Sequence, residues 1–151
     1  MAAGNLKKSA NILAVLLGLT GLGTLIFWIV FAFGNPQESF LARIYPAWYP
    51  WERSFIVADG WMIGASLAGA YGLLRQRSWG RHWAGMAGSA MLFLALMDVL
   101  FFLQNGLYLH RHPEVLTEAL IHLWLLGLGI ALIVFTARGV VNESLERPSV
   151  L

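Results

Sequence analysis

The chain has 151 residues, of which 58% are hydrophobic and only 12% charged, with a mean hydropathy of +0.66. A soluble domain carries about twice that charged fraction, so the composition places a single domain, residues 1–151, in a membrane. Cysteine is absent and the net charge is +2, which excludes disulfides, thiolate metal sites and thiol redox chemistry and leaves no basis for a nucleic-acid partner.

Residues 1–10 are short and polar, with Lys7 and Lys8. The apolar run over 12–33 is longer than a signal-peptide core and has no clean small-x-small cleavage site, so it reads as the first transmembrane helix. Thr20, Thr24 and Trp28 recur every four residues and share a face. Gly18, Gly21 and Gly23 thin the middle for close helix contact.

Residues 35–53 form the longest connection. Asn35 as N-cap, Pro36 at the first helical position and Glu38 three after the cap predict a short helix, with Phe40, Leu41, Ile44 and Tyr45 on one face and Pro46 ending it. Trp48, Tyr49, Pro50 and Trp51 follow, and aromatic residues with polar tips favour the headgroup level. The expectation is an amphipathic interfacial helix leading into an aromatic clamp; a plain connecting loop is the alternative.

The second span covers 54–74. Asp59 lies about one turn in, near Trp61. Gly60, Gly64, Ala68 and Gly72 form a stripe of small residues that admits a neighbouring backbone, whether within the chain, from another membrane protein or from a second copy. Arg75, Arg77, Arg81 and His82 make a basic turn. The third span, 84–105, places Ala84, Gly88, Met91, Ala95 and Asp98 roughly on one face. An ionisable group in hydrocarbon is costly, so Asp98 is expected to face the bundle interior and to have partners. Gly106 suits the helix end. A loop with His110, Arg111, His112 and Glu114 leads to the fourth span, 117–137, where Glu118 and His122 stand one turn apart and Gly127 and Gly129 thin the centre. Residues 138–151 read as a polar, cytoplasmic tail. The fold class is all-α: a polytopic bundle of four transmembrane helices with a short interfacial helix between spans one and two.

Lys7, Lys8, Arg75, Arg77, Arg81, Arg138 and Arg147 fall on one side of the spans, and Arg43, Arg53 and Arg111 on the other. This bias predicts a multi-pass protein of the cell (inner) membrane with both termini cytoplasmic. On that orientation Asp59, Asp98 and His122 all lie roughly 7–10 Å below the outer boundary. Glu118, Gln104 and Asn105 lie slightly above them, Trp61 and Trp124 flank the level, and Trp28 approaches it. The inner halves of the spans carry almost no ionisable residue. The pattern predicts an outward-opening polar pocket with Asp59, Asp98 and His122 at its floor and tryptophans in its walls. A purely structural reading stands beside it: Asp98 and His122 hydrogen-bond across helices, each bond worth roughly 0.6–2 kcal/mol, and fix the register.

His110, His112, Glu118 and His122 offer four metal-competent side chains, although the two loop histidines also suit a solvated interface. A bis-histidine haem lacks its second buried histidine, since His82 lies at the opposite face. No metal, cofactor or catalytic residue is assigned. The segment Leu96–Tyr108 resembles a segment of small, uncharacterised four-span bacterial membrane proteins, which implies the same architecture and no particular activity. In architecture alone, four spans with intramembrane acids, the chain also resembles the emopamil-binding family, whose members handle sterols and related amphiphiles. The leading expectation is a non-catalytic protein that contacts membrane lipids and binds a small amphiphile or partner at the outer pocket. The alternatives are an accessory subunit of a membrane complex, and an enzyme or proton-coupled carrier using Asp98 and His122.

Overall fold

Continuous apolar sequence without internal proline becomes long helix. The computed structural model describes residues 3–146, with side chains described over 7–139. Among the described residues six α-helices follow in chain order: α1 (Ala3–Phe33), α2 (Phe40–Ile44), α3 (Trp48–Ser54), α4 (Ile56–Leu74), α5 (Ser78–Gln104) and α6 (Pro113–Glu146). Four segments, Lys7–Phe33, Ile56–Leu74, Ser78–Gln104 and Pro113–Gly139, are long and apolar enough to cross a membrane. The molecule is a multi-pass, all-α membrane bundle.

The long helices pack in sequence, α1 on α4, α4 on α5 and α5 on α6, whereas α1 and α6 form no comparable helix pair. Small residues set these contacts, as expected where lipid removes the hydrophobic drive between helices. Gly72 of α4 meets Gly80 of α5 so closely that a methyl group on either would fall on the other's backbone. Gly88 of α5 and Gly129 of α6 meet in the same way, with Leu132 and Leu92 filling the flanks. Ala14, Leu17, Met62, Ala84, Met91, Ala95 and Leu132 are sealed between the helices. Leu19, Ile26, Val30, Leu96, Leu103 and Leu123 point outward, where lipid replaces water as their solvent.

The small-residue stripe on α4 is split by this packing. Gly72 is buried against α5, but Gly60 and Gly64 are exposed with open space beside them. Gly69, off the stripe, makes the other close approach, to the Ala84 backbone. The α4–α5 turn closes in a Schellman arrangement, with Arg77 N–H donating to Gly72 O at 2.8 Å and Gln76 N–H to Leu73 O at 3.0 Å. Gln76 there adopts φ 53°.

The connection between spans one and two differs from the single helix expected. Asn35 heads only a 3₁₀ turn, Pro36–Glu38, and makes no side-chain cap. Ser39 is the working N-cap, its Oγ accepting from Ala42 N–H at 3.1 Å. After Pro46 a second helix, α3, forms with Pro50 in its first turn, where the missing N–H costs nothing. Together α2 and α3 build a separate aromatic core across one end of the bundle, with Leu41, Trp48, Phe101, Phe102, Leu107 and Val115 buried in it. Glu114 of α6 pins this cap by accepting from Phe40 N–H and Leu41 N–H at 3.1 and 3.2 Å. The carboxylate thus sits at the positive end of α2.

At its other end α6 runs on to Glu146, so residues 138–146 of the expected tail are helical. No proline interrupts that sequence before Pro148. Arg147 lies outside the described residues. Helices α5 and α6 likewise start earlier than the apolar runs alone indicate, at Ser78 and Pro113, because polar and basic residues extend a helix beyond the hydrocarbon without penalty.

Candidate functional site

Where α1 and α6 fail to pair, a cavity of about 410 Å³ opens between them. Its walls come from α1 (Leu19, Thr20, Gly23, Thr24, Phe27), α4 (Asp59, Met62), α5 (Leu94, Asp98) and α6 (Glu118, Ile121, His122, Trp124, Leu125), with Glu52 of α3 entering from the cap. Four carboxylates and one imidazole, from four different helices, therefore share one space. A second crevice between α1 and α6, toward the cap, shares Phe27 and Glu118 with it.

Each aspartate is held by a tryptophan from another element. Trp28 Nε1 of α1 donates to Asp59 Oδ2 at 2.9 Å. Trp51 Nε1 of α3 donates to Asp98 Oδ1 at 3.1 Å. Trp124 Nε1 of α6 donates to Thr20 Oγ1 at 2.9 Å and bridges α6 to α1 beside the opening. Thr20 in turn donates to Leu16 O at 2.9 Å, so its hydroxyl is satisfied in both senses.

His122 is buried, and its Nδ1 lies 2.7 Å from Tyr108 Oη. Its Nε2 faces Glu118 Oε2 at 4.0 Å. A lone pair on Nε2 would oppose the carboxylate, so the compatible tautomer carries the proton there and accepts from the tyrosine at Nδ1. Tyr108 stays protonated across the ordinary pH range: burial first, then the charges of Asp98 and Glu118, push its hydroxyl up to about 12.

Among the residues anticipated for the pocket, Asp59, Asp98, Glu118, His122 and Trp124 line the cavity, and Trp28 supports it through Asp59. Three lie elsewhere. Trp61 is exposed on the outer face of α4 beside Trp83, in a crevice with Met86 and Phe93. Gln104 is exposed. Asn105 turns back to donate to Phe101 O at 2.8 Å and ends α5. Depth alone grouped these residues with the site; the helical angle sends them away from it.

Glu52 and Trp51 escaped a reading confined to the spans. Their signal is a register that continues through the loop: Glu52 and Asp59 are seven residues apart, two helical turns, so α3 running almost directly into α4 places both on one side. Burial, followed by the charges of Glu118, Asp98 and Asp59, raises the Glu52 carboxyl well above the usual carboxylate range.

The loop histidines are engaged away from His122. The His112 ring stacks on Phe40 at 3.8 Å, and its Nδ1 accepts from Glu114 N–H at 3.3 Å. His110 meets the edge of the same Phe40 ring. Among the described residues no three histidine, aspartate or glutamate side chains are grouped to hold a metal ion. In comparison with known proteins, no family model, curated protein or solved structure matches this chain.

Proposed function

We propose that the protein binds the polar end of a membrane amphiphile in the cavity between α1 and α6 without transforming it. The observation that carries this reading is the convergence of Glu52, Asp59, Asp98 and Glu118 on one cavity at the seam where the helix ring is incomplete. Intramembrane acids are costly and rare, and three of them sharing a space with a fourth acid from the cap have a use. Helices α2 and α3 cover the bundle end, so the seam offers the approach from within the bilayer. Gly23 on α1 lines the cavity with open space beside it and keeps that approach wide.

In the same reading both termini are cytoplasmic in a cell (inner) membrane. Lys7, Lys8, Arg75, Arg77, Arg81 and Arg138 cluster at the end opposite the aromatic cap, which fits the positive-inside bias. A second reading, an accessory subunit docking a partner or a second copy on α4, draws on the exposed Gly60 and Gly64. It requires that Gly64→Leu disrupt a complex isolated in mild detergent; a monomer indifferent to that change removes it.

The test of the main reading uses native mass spectrometry and thermal melting of gently extracted protein. Wild type should retain a bound amphiphile or gain melting temperature from a total lipid extract. Asp98→Asn, which keeps an acceptor for Trp51, should fold but lose that gain. Absence of both retained amphiphile and lipid-induced stabilisation in wild type overturns the proposal.

A further inference from the structure

The charge of the cavity wall narrows what it holds; the inference rests on the amphiphile reading above and specifies its headgroup. Of the residues lining the cavity, four carry carboxylates and none is lysine or arginine. The basic group in the same wall is the His122 ring, and its approach to Glu118 is a long 4.0 Å. Asp59 and Asp98 each receive an indole N–H. Glu52 differs: it is half-buried, it lines the cavity well inside the bundle, and among the described residues no side-chain hydrogen bond or ion pair engages it. A carboxylate that opens on an enclosed space without a donor is an incomplete arrangement.

The missing partner is not a single metal ion, because the acidic groups are dispersed around the wall rather than gathered within one coordination sphere. Dispersed acceptors suit a larger cation whose donors are spread over several atoms. Phe27 and Trp124 in the same wall add aromatic faces that attract a cation. Leu19 and Ile121 at the rim are apolar and exposed to the bilayer. They provide for a hydrocarbon tail leaving the cavity sideways.

We infer that the cavity selects an amphiphile with an N–H-bearing cationic head, an alkylamine or a lipid-linked polyamine, over neutral and anionic amphiphiles of the same chain length. Glu52 is the headgroup acceptor this assignment adds, with Asp59, Asp98 and Glu118 sharing the charge.

The experiment compares dodecylamine, dodecanol and dodecanoic acid at equal concentration, added to the full chain in nanodiscs of zwitterionic lipid, with melting and tryptophan fluorescence as readouts. Dodecylamine should raise the melting temperature and change the fluorescence, and the other two should do neither. Glu52→Gln should weaken the amine about tenfold, the loss expected for one close charge pair. Gly23→Leu should abolish the response while leaving the fold intact, since a Cβ there meets nothing within 4 Å. Equal responses to amine and alcohol, both lost in Gly23→Leu, overturn the cationic assignment and leave the amphiphile site standing. An amine response unaffected by Gly23→Leu places the amine elsewhere and overturns the assignment. No response to any of the three, together with a total lipid extract that also fails to stabilise wild type, removes both readings.

Discussion

Trp51 joins the cap to the centre of the bundle in two ways at once: its indole N–H donates to Asp98 at 3.1 Å, and its ring lies flat on Phe101 at 4.4 Å with 7° between planes. Both contacts reach the same helix, α5, one turn apart. Trp51→Phe retains the stacking and deletes the donor. A carboxylate deprived of its donor in a low-dielectric setting costs about 1–3 kcal/mol. Trp51→Phe should therefore lower stability by that amount in reversible unfolding. Pairing it with Asp98→Leu should cost less than the sum of the two single changes, because no orphaned carboxylate remains.

Tyr108 and His122 form the corresponding tie between the loop after α5 and α6. The Phe102 ring packs on both, with centroids 5.0 Å from each. Tyr108→Phe preserves that packing and removes only the hydroxyl. Nitrogen NMR of His122 in wild type should show the proton on Nε2. The variant should lose that fixed tautomer and about 1 kcal/mol of stability. A wild-type spectrum with the proton on Nδ1 would reverse the donor and acceptor roles in this pair.

The glycines along α4 and at the start of α5 separate into two classes by what surrounds them. Gly80→Ala places a methyl group on the Gly72 backbone, which cannot withdraw. Overpacking of that kind costs about 1–3 kcal/mol or more. Gly60→Ala and Gly64→Ala meet open space and also gain helix propensity, so each should be neutral or stabilising by up to about 1 kcal/mol. Melting in one detergent distinguishes the two classes directly.

These contrasts show how far the sequence could be read. The four spans were legible because about 20 apolar residues in a row have one stable use in lipid. Asp59, Asp98 and His122 were legible as a group because their depth follows from residue rise alone. Rotation about each helix axis was not, since all-apolar faces give no moment to orient them, and this is why Trp61 and Gln104 were misgrouped with the site. Glu52 was hidden for a different reason: a charged residue in a polar connection has no visible cost until α3 folds it over the bundle. The Glu114 brace depends on contacts 73 and 74 residues apart in the chain, beyond the reach of local capping rules.

At Gln76 the backbone itself predicts a gain. The residue holds φ 53° at the position that normally takes glycine in a Schellman ending, and its own N–H is already bonded to Leu73 O. Gln76→Gly relieves the left-handed strain and keeps both turn bonds. The relief, about 1 kcal/mol or more, is partly offset by the greater freedom of glycine in the unfolded chain. A net rise in melting temperature should follow. A fall would mean that the Gln76 side chain contributes more than the strain removes.

Glu52 ties stability to pH. Its carboxyl in the folded protein titrates above 4.5, its ordinary value, because burial and the neighbouring acids disfavour the charge. Below 4.5 the group is neutral in folded and unfolded chains alike and exerts no penalty. As pH rises from 4.5 toward the folded-state value, the unfolded chain releases its proton while the folded one retains it, so stability declines. Above the folded-state value the penalty is constant. Other acids titrate in the same range, so the informative quantity is the difference between wild type and Glu52→Gln. That difference should be small at pH 4.5 and grow in favour of the variant toward neutrality, reaching about 1 kcal/mol in amphiphile-free protein. Saturating dodecylamine should shrink it, since a cation beside Glu52 stabilises the ionised form in wild type and has less to engage in the variant. A difference that stays flat from pH 4.5 to neutrality would show that Glu52 titrates as though it faced open water.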